Sequence, residues 1–150
     1  MAGDIRGRAM QQDDDRARAA KQFFETLPHL RALGGRLVGF GDSRAEIEMD
    51  WRAELVGDPR SGVIHGGVVS ALMDTSGGAA VMAHPDRPNG TATISLRIDY
   101  MRAATPGSKL RARAECFHMT RSVAFVRAVA LDDDDERPVA TATGSFTVER

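Results

Sequence analysis

Between Val68 and Ala83 the sequence VVSALMDTSGGAAVMA carries one formal charge, Asp74, among apolar and small residues. Apolar surface of this extent has to leave water, so the rest of the chain must be arranged to bury it. Val69, Leu72, Met73 and Ala80 recur at helical spacing, with Ser76 and Gly77 filling the turn between them. The spacing predicts a helix from about Gly66 to Ala83. His84-Pro85 ends it, because proline cannot continue the hydrogen-bond ladder and disfavours helix in the residue before it. No Lys/Glu stripe marks a solvent side, so the helix is expected at the centre of the fold. A membrane span fits poorly, since the glycines, the serines and a central Asp oppose insertion, the Asp alone by about 2.5–3.5 kcal/mol.

Asp74 is the anomaly of this segment. A carboxylate taken out of water is costly unless it is paired or hydrogen-bonded. It therefore either meets an arginine, for instance at a subunit junction, or serves as a base. His65-Gly66-Gly67 stands at the predicted helix start. First-turn N–H groups have no intrahelical partner, and two glycines let a ligand oxygen approach them closely. A Gly-Gly joint alone is ordinary. A carboxylate two turns further along the same helix makes the pair read as an oxyanion site and a base.

His65-Gly66-Gly67, Leu72, Asp74, Gly78 and Ala80 form the pattern H-G-G-x(4)-L-x-D-x(3)-G-x-A. It resembles the signature of the hotdog-fold acyl-CoA thioesterases of the PaaI-like, phenylacetate-pathway type, and the similarity runs from about Arg36 to Val148. The resemblance implies an α+β fold, an antiparallel sheet of about six strands wrapped around one long helix. It implies hydrolysis of an acyl- or aryl-acyl-CoA, with Asp74 as general base or nucleophile and the Gly66 N–H as oxyanion donor. It also implies a homodimer or homotetramer with sites at the subunit interface, and no cofactor or metal. Thr93 matches the family's position for a Ser or Thr that orients water or the carboxylate. His65, Gly67, Asp58, Arg102 and Arg121 are the candidate substrate-binding residues, His65 expected to shape the loop by hydrogen bonding and Arg102 and Arg121 to hold coenzyme A phosphates. Where the family often has Asn-Pro before the histidine, this chain has Asp58-Pro59, and an ionised Asp cannot donate as an Asn amide does. The alternative is a non-catalytic acyl-CoA-binding or structural hotdog domain. A hotdog dehydratase lacks support, since neither D-x-N-x-x-H nor H-F-P is found.

The remaining chain is read around that helix. Residues 1–15 are expected as a flexible arm and 16–150 as a single domain. Ala17, Ala20, Phe24 and Leu27 predict a short amphipathic helix, begun by the aspartates at 13–15 and ended at Pro28, packed across an open edge of the domain. Leu37 to Phe40 and Ala45 to Trp51 predict a hairpin turning at Gly41-Asp42-Ser43, with Glu54 to Ser61 as a loop. After the helix come four strands. Ala92, Ile94, Leu96, Ile98 and Tyr100 alternate with Thr93, Ser95, Arg97 and Asp99, which places Thr93 on the polar face by parity. Val123 to Leu131 is apolar on both sides apart from Arg127, as expected of an interior strand or one covered by a second subunit. The acidic run from Asp132 to Glu136 lacks calcium-loop spacing and reads as a solvated hairpin tip.

Composition narrows the classes further. Twenty basic against twenty-one acidic residues, a net charge of −1, speak against a nucleic-acid binder. One cysteine, Cys116, allows no intrachain disulfide, and no C-x-x-C spacing points to zinc. The charged N-terminus lacks the apolar core of a signal peptide, so a cytoplasmic location is expected.

Overall fold

The computed structural model describes residues 2–150, with side chains described from Gln11 onward. The elements are α1 (Ala2–Thr26), α2 (Pro28–Leu33), β1 (Gly35–Gly41), β2 (Arg44–Met49), β3 (Val56–Asp58), β4 (Val63–Ile64), α3 (Gly66–Met82), β5 (Thr93–Tyr100), β6 (Leu110–Met119), β7 (Val123–Leu131) and β8 (Ala140–Thr147). Six strands make one antiparallel sheet in the order β1-β2-β6-β7-β8-β5, while β3 and β4 pair separately. The sheet wraps around α3, the hotdog arrangement. The α3 helix packs across β2, β6 and β7.

Small side chains make this close approach possible. Ala45, Ala114, Ala128 and Ala142 occupy one row across β2, β6, β7 and β8 and are all buried. Gly77 is required by the same packing, because a Cβ there would stand 2.7 Å from Cζ of buried Phe146. The expected all-round burial of α3 is corrected in one respect. Ser70, Ala71, Asp74, Thr75 and Gly78, neighbours at helical spacing on one side, are only half-buried. One sheet covers one side of a helix, and a single chain has nothing further to lay over the other.

The hairpin of β1 and β2 turns through Asp42 and Ser43, both at positive φ (49° and 63°), the geometry that matches strand twist in a two-residue turn. The predicted N-terminal helix lies against edge strand β1 and buries Phe24. It begins earlier than Arg16, and its backbone is helical from Ala2. The arm expected at residues 1–15 falls partly on Met1, outside the described residues. As expected, α1 ends at the Leu27-Pro28 step, its last residue being Thr26, and Pro28 then opens the short α2 at its first turn, where the missing N–H is no loss. Arg16 crosses to the far end of α3, donating to the Met82 carbonyl and, at 2.9 Å, to that of His84. The Met82 carbonyl is one that the helix end leaves unpaired, and that of His84, just beyond the cap, also accepts from the Arg87 N–H.

One strand expectation is borne out in position and changed in burial. The strand from Val123 to Leu131 is interior, between β6 and β8, yet only its inner face is buried, and Phe125 and Arg127 stand exposed. Of the two sheet edges, β1 is covered by α1, and the uncovered one is β5. No helix among the described residues is long and apolar enough to cross a membrane.

Candidate active site

The first turn of α3 is fixed by its own flanking residues. His65 is the N-cap, and its Nδ1 accepts a hydrogen bond from the Gly67 N–H at 2.8 Å. An accepting Nδ1 carries no proton, so the ring N–H is at Nε2. Gly67 has no room for a side chain, since a Cβ would stand 2.8 Å from that Nδ1. The Val68 N–H donates to the His65 carbonyl at 2.9 Å. This leaves the Gly66 N–H without a partner among the described residues, at the positive end of the helix dipole and on an exposed turn. It is an available oxyanion donor.

Asp74 lies two turns on, half-buried on the open side of α3, with its Oδ1 accepting from Thr93 Oγ1 at 2.6 Å. No arginine pairs with it among the described residues. Strand parity had turned Thr93 away from the helix, and a β-bulge reverses this. Thr93 pairs with Phe146 but Ser95 with Ser145, so Ile94 is the extra residue. The bulge puts Thr93 on the inner face with Leu96 and Ile98, and pushes Ile94 outward to 56% exposure.

The other candidates are placed differently. Asp58 is used inside its own turn, where Oδ1 accepts from the Arg60 N–H at 3.1 Å and Oδ2 from Ser61 Oγ at 2.8 Å. The Ser61 hydroxyl and the Arg60 amide lower its pKa. Arg102 is not free to hold a phosphate. Its guanidinium makes a bidentate pair with Asp132, both bonds 2.7 Å, and also reaches the Arg137 carbonyl. Asp132, expected in a solvated tip, is 1% exposed and accepts further bonds from Thr105 N and Oγ1 and from Asp134 N. Arg121, in the turn between β6 and β7, is exposed and makes no ion pair among the described residues. Across the sheet Ala124, Phe146 and Thr93 are aligned, so this turn and Thr93 lie at the same end.

Sequence reasoning assigned no role to Tyr100 or Ser70. The Tyr100 hydroxyl donates to the Gly66 carbonyl at 2.8 Å, and Ser70 Oγ stands 3.2 Å from the same oxygen and within reach of the phenol. A lone tyrosine closing a strand otherwise bordered by Thr, Ser, Arg and Asp was the available signal. The described residues contain no His, Cys, Asp and Glu cluster able to hold a metal.

An antiparallel six-stranded sheet wrapped around one long helix is the hotdog fold, and here it carries an N–H without a partner among the described residues at the helix start and a hydroxyl-bonded carboxylate two turns on. Residues 61–139 match the Thioesterase superfamily, and the chain belongs to that family. It is 26% identical over 141 residues to the medium/long-chain acyl-CoA thioesterase YigI of Salmonella typhimurium, covering 85% of this chain and 90% of that protein. A Pseudomonas aeruginosa protein of known crystal structure is 32% identical, with TM-score 0.78 over 88% of this chain and 98% of that one. A variant of the phenylacetic acid degradation protein PaaI of Thermus thermophilus is 26% identical, with TM-score 0.71 over 81% of this chain and 99% of that one. Family and relatives support thioester hydrolysis as the class of reaction.

Proposed function

We propose that this chain is an acyl-CoA thioesterase whose sites are each shared by two copies. The observation that carries the reading is the Thr93–Asp74 hydrogen bond beside an uncovered stripe of small residues on α3. The Gly66 N–H polarises the thioester carbonyl and stabilises the oxyanion as it forms. Asp74, held by Thr93, either takes a proton from the attacking water or attacks the carbonyl carbon itself. The C–S bond breaks and the thiolate of coenzyme A leaves and takes up a proton; the acyl group departs as the free acid, directly where water attacked, or after water hydrolyses the acyl–Asp74 anhydride where the carboxylate attacked. Arg121 is the remaining side-chain candidate for a coenzyme A phosphate.

Geometry favours two chains. Gly66 and Asp74 are eight residues apart, about 12 Å along a helix axis, too far to serve one carbonyl. Tyr100 lies beside Gly66 and Thr93 beside Asp74, so β5 runs the length of that interval. A twofold axis through the middle of the open β5 edge sets one chain's Gly66 near its partner's Asp74 and pairs the edge strand. Sedimentation at micromolar concentration is therefore expected to give a dimer or tetramer. A 16.2 kDa species would remove the shared site.

Thiol release from a panel of short, medium, long and aromatic acyl-CoAs tests the activity directly. Release from at least one is expected. Binding without release would identify the non-catalytic alternative. The named relative directs attention first to medium and long chains. Gly66→Val probes the donor. A Cβ at Gly66 would sit 3.5 Å from the Tyr100 ring, an ordinary contact, so the variant should fold while its methyls obstruct approach to the N–H. Turnover is expected to fall on the order of 10²-fold, the scale for one lost oxyanion donor. An unchanged rate in the folded variant would exclude this role for Gly66.

A further inference from the structure

We infer that Tyr100 is a positioning residue, acting through the Gly66 carbonyl to hold the Gly66 N–H in its working direction. This rests on the oxyanion assignment proposed for Gly66. Two adjacent glycines at a helix start give the softest backbone the chain can supply. A preorganised donor must nevertheless keep its aim, and a misplacement of about 1 Å can lower a rate on the order of 10²-fold. The structure supplies the missing stiffness from outside the helix. Tyr100 closes β5, paired with Ala140, and the following Met101 N–H donates to the Val139 carbonyl at 2.8 Å. From that anchored strand its hydroxyl donates to the Gly66 carbonyl, the same oxygen that Ser70 approaches. Its ring lies in van der Waals range of the point where a Gly66 Cβ would be, taking the place of the absent side chain. With His65 capping Gly67 and accepting from Val68, each backbone polar group from the His65 carbonyl to the Gly67 N–H has a partner except the Gly66 N–H.

The tether is separable from the packing of the chain, because Tyr100 is 51% exposed in the single chain and its ring stays in place when only the hydroxyl is removed. Tyr100→Phe keeps the ring and deletes the hydroxyl. Two readouts are expected to change in the full-length protein. Backbone amide order parameters at Gly66 and Gly67 fall from the rigid range, about 0.85, towards the mobile range below about 0.6. On the best acyl-CoA of the panel kcat falls about tenfold, KM stays within about twofold, and the melting temperature is kept. Ser70→Ala gives a smaller change in the same direction, and the double variant is no slower than Tyr100→Phe alone.

Unchanged order parameters in Tyr100→Phe would overturn the tether whether or not the protein is active. Falling order parameters with unchanged kcat, in a protein that Asp74→Asn silences, would overturn the positioning role and leave the thioesterase reading standing. Absence of acyl-CoA hydrolysis by the unmodified protein would remove that reading and, with it, the positioning role; the amide measurement then reports on the tether alone.

Discussion

Asp74→Asn is expected to lower acyl-CoA turnover at least ~10²-fold, the low end for loss of an acid–base group, while the protein melts no earlier than the original. The amide oxygen can still accept from Thr93 Oγ1, which now bonds Oδ1 at 2.6 Å, so the geometry of the contact survives and only basicity is lost. Stability is kept or raised, because a half-buried carboxylate is harder to desolvate than an amide. An Asp74 that served only to hold the fold would give the opposite pattern, with early melting and activity lost in proportion to unfolding. Measuring melting temperature and thiol release on one preparation separates the two. A destabilised but fully active variant would end the catalytic assignment.

The largest stability effect is expected beyond the opposite end of β5 from Thr93 and Asp74, at Arg102. Arg102→Met leaves the buried Asp132 carboxylate without its main partner, a change worth about 3–5 kcal/mol when a buried ion pair loses one member. For a chain of this size that is a drop in melting temperature of roughly 10 °C. The Arg102 guanidinium, against the opposing effect of burial, holds the Asp132 carboxyl well below the usual carboxylate range. A depressed folded-state pKa contributes stability that is fully present above the unfolded value, about 3.9, and lost as pH falls below it. The deficit of the variant should thus be greatest at neutral pH and shrink as the pH is lowered through about 4. A deficit independent of pH, or a variant as stable as the original at pH 7, would mean that the pair is not what holds this loop.

Much of the frame was legible because burial writes itself into local periodicity. The α3 helix was expected from Gly66 to about Ala83 and spans Gly66–Met82, since its apolar spacing and His84-Pro85 are both local signals. The six strands followed for the same reason. Parity then misled at Ile94, an apolar residue in step with Leu96 and Ile98. Alternation cannot reveal where a strand inserts one residue and reverses its faces, and only the pairing with β8 does so. The Arg102–Asp132 pair was invisible for a different reason. Its members are 30 residues apart, and Asp132 stands in an acidic run whose composition signals solvent. Gly66, Asp74 and their spacing were readable, but the tether from Tyr100 required knowing that the end of β5 comes to rest beside the start of α3.

The contact of Arg16 with the carbonyls of Met82 and His84 bears on how modular this domain is. The family is recognised across residues 61–139, which contain α3, β5, β6 and β7. Those residues do not make a self-sufficient unit. Within the sheet β5 is held only through β8, which begins at Ala140, and the far end of α3 is finished by a side chain near the start of the chain. A graft or truncation cut to the recognisable stretch would carry the chemistry and leave behind the parts that close its architecture. The transferable piece runs from the first helix to the last strand.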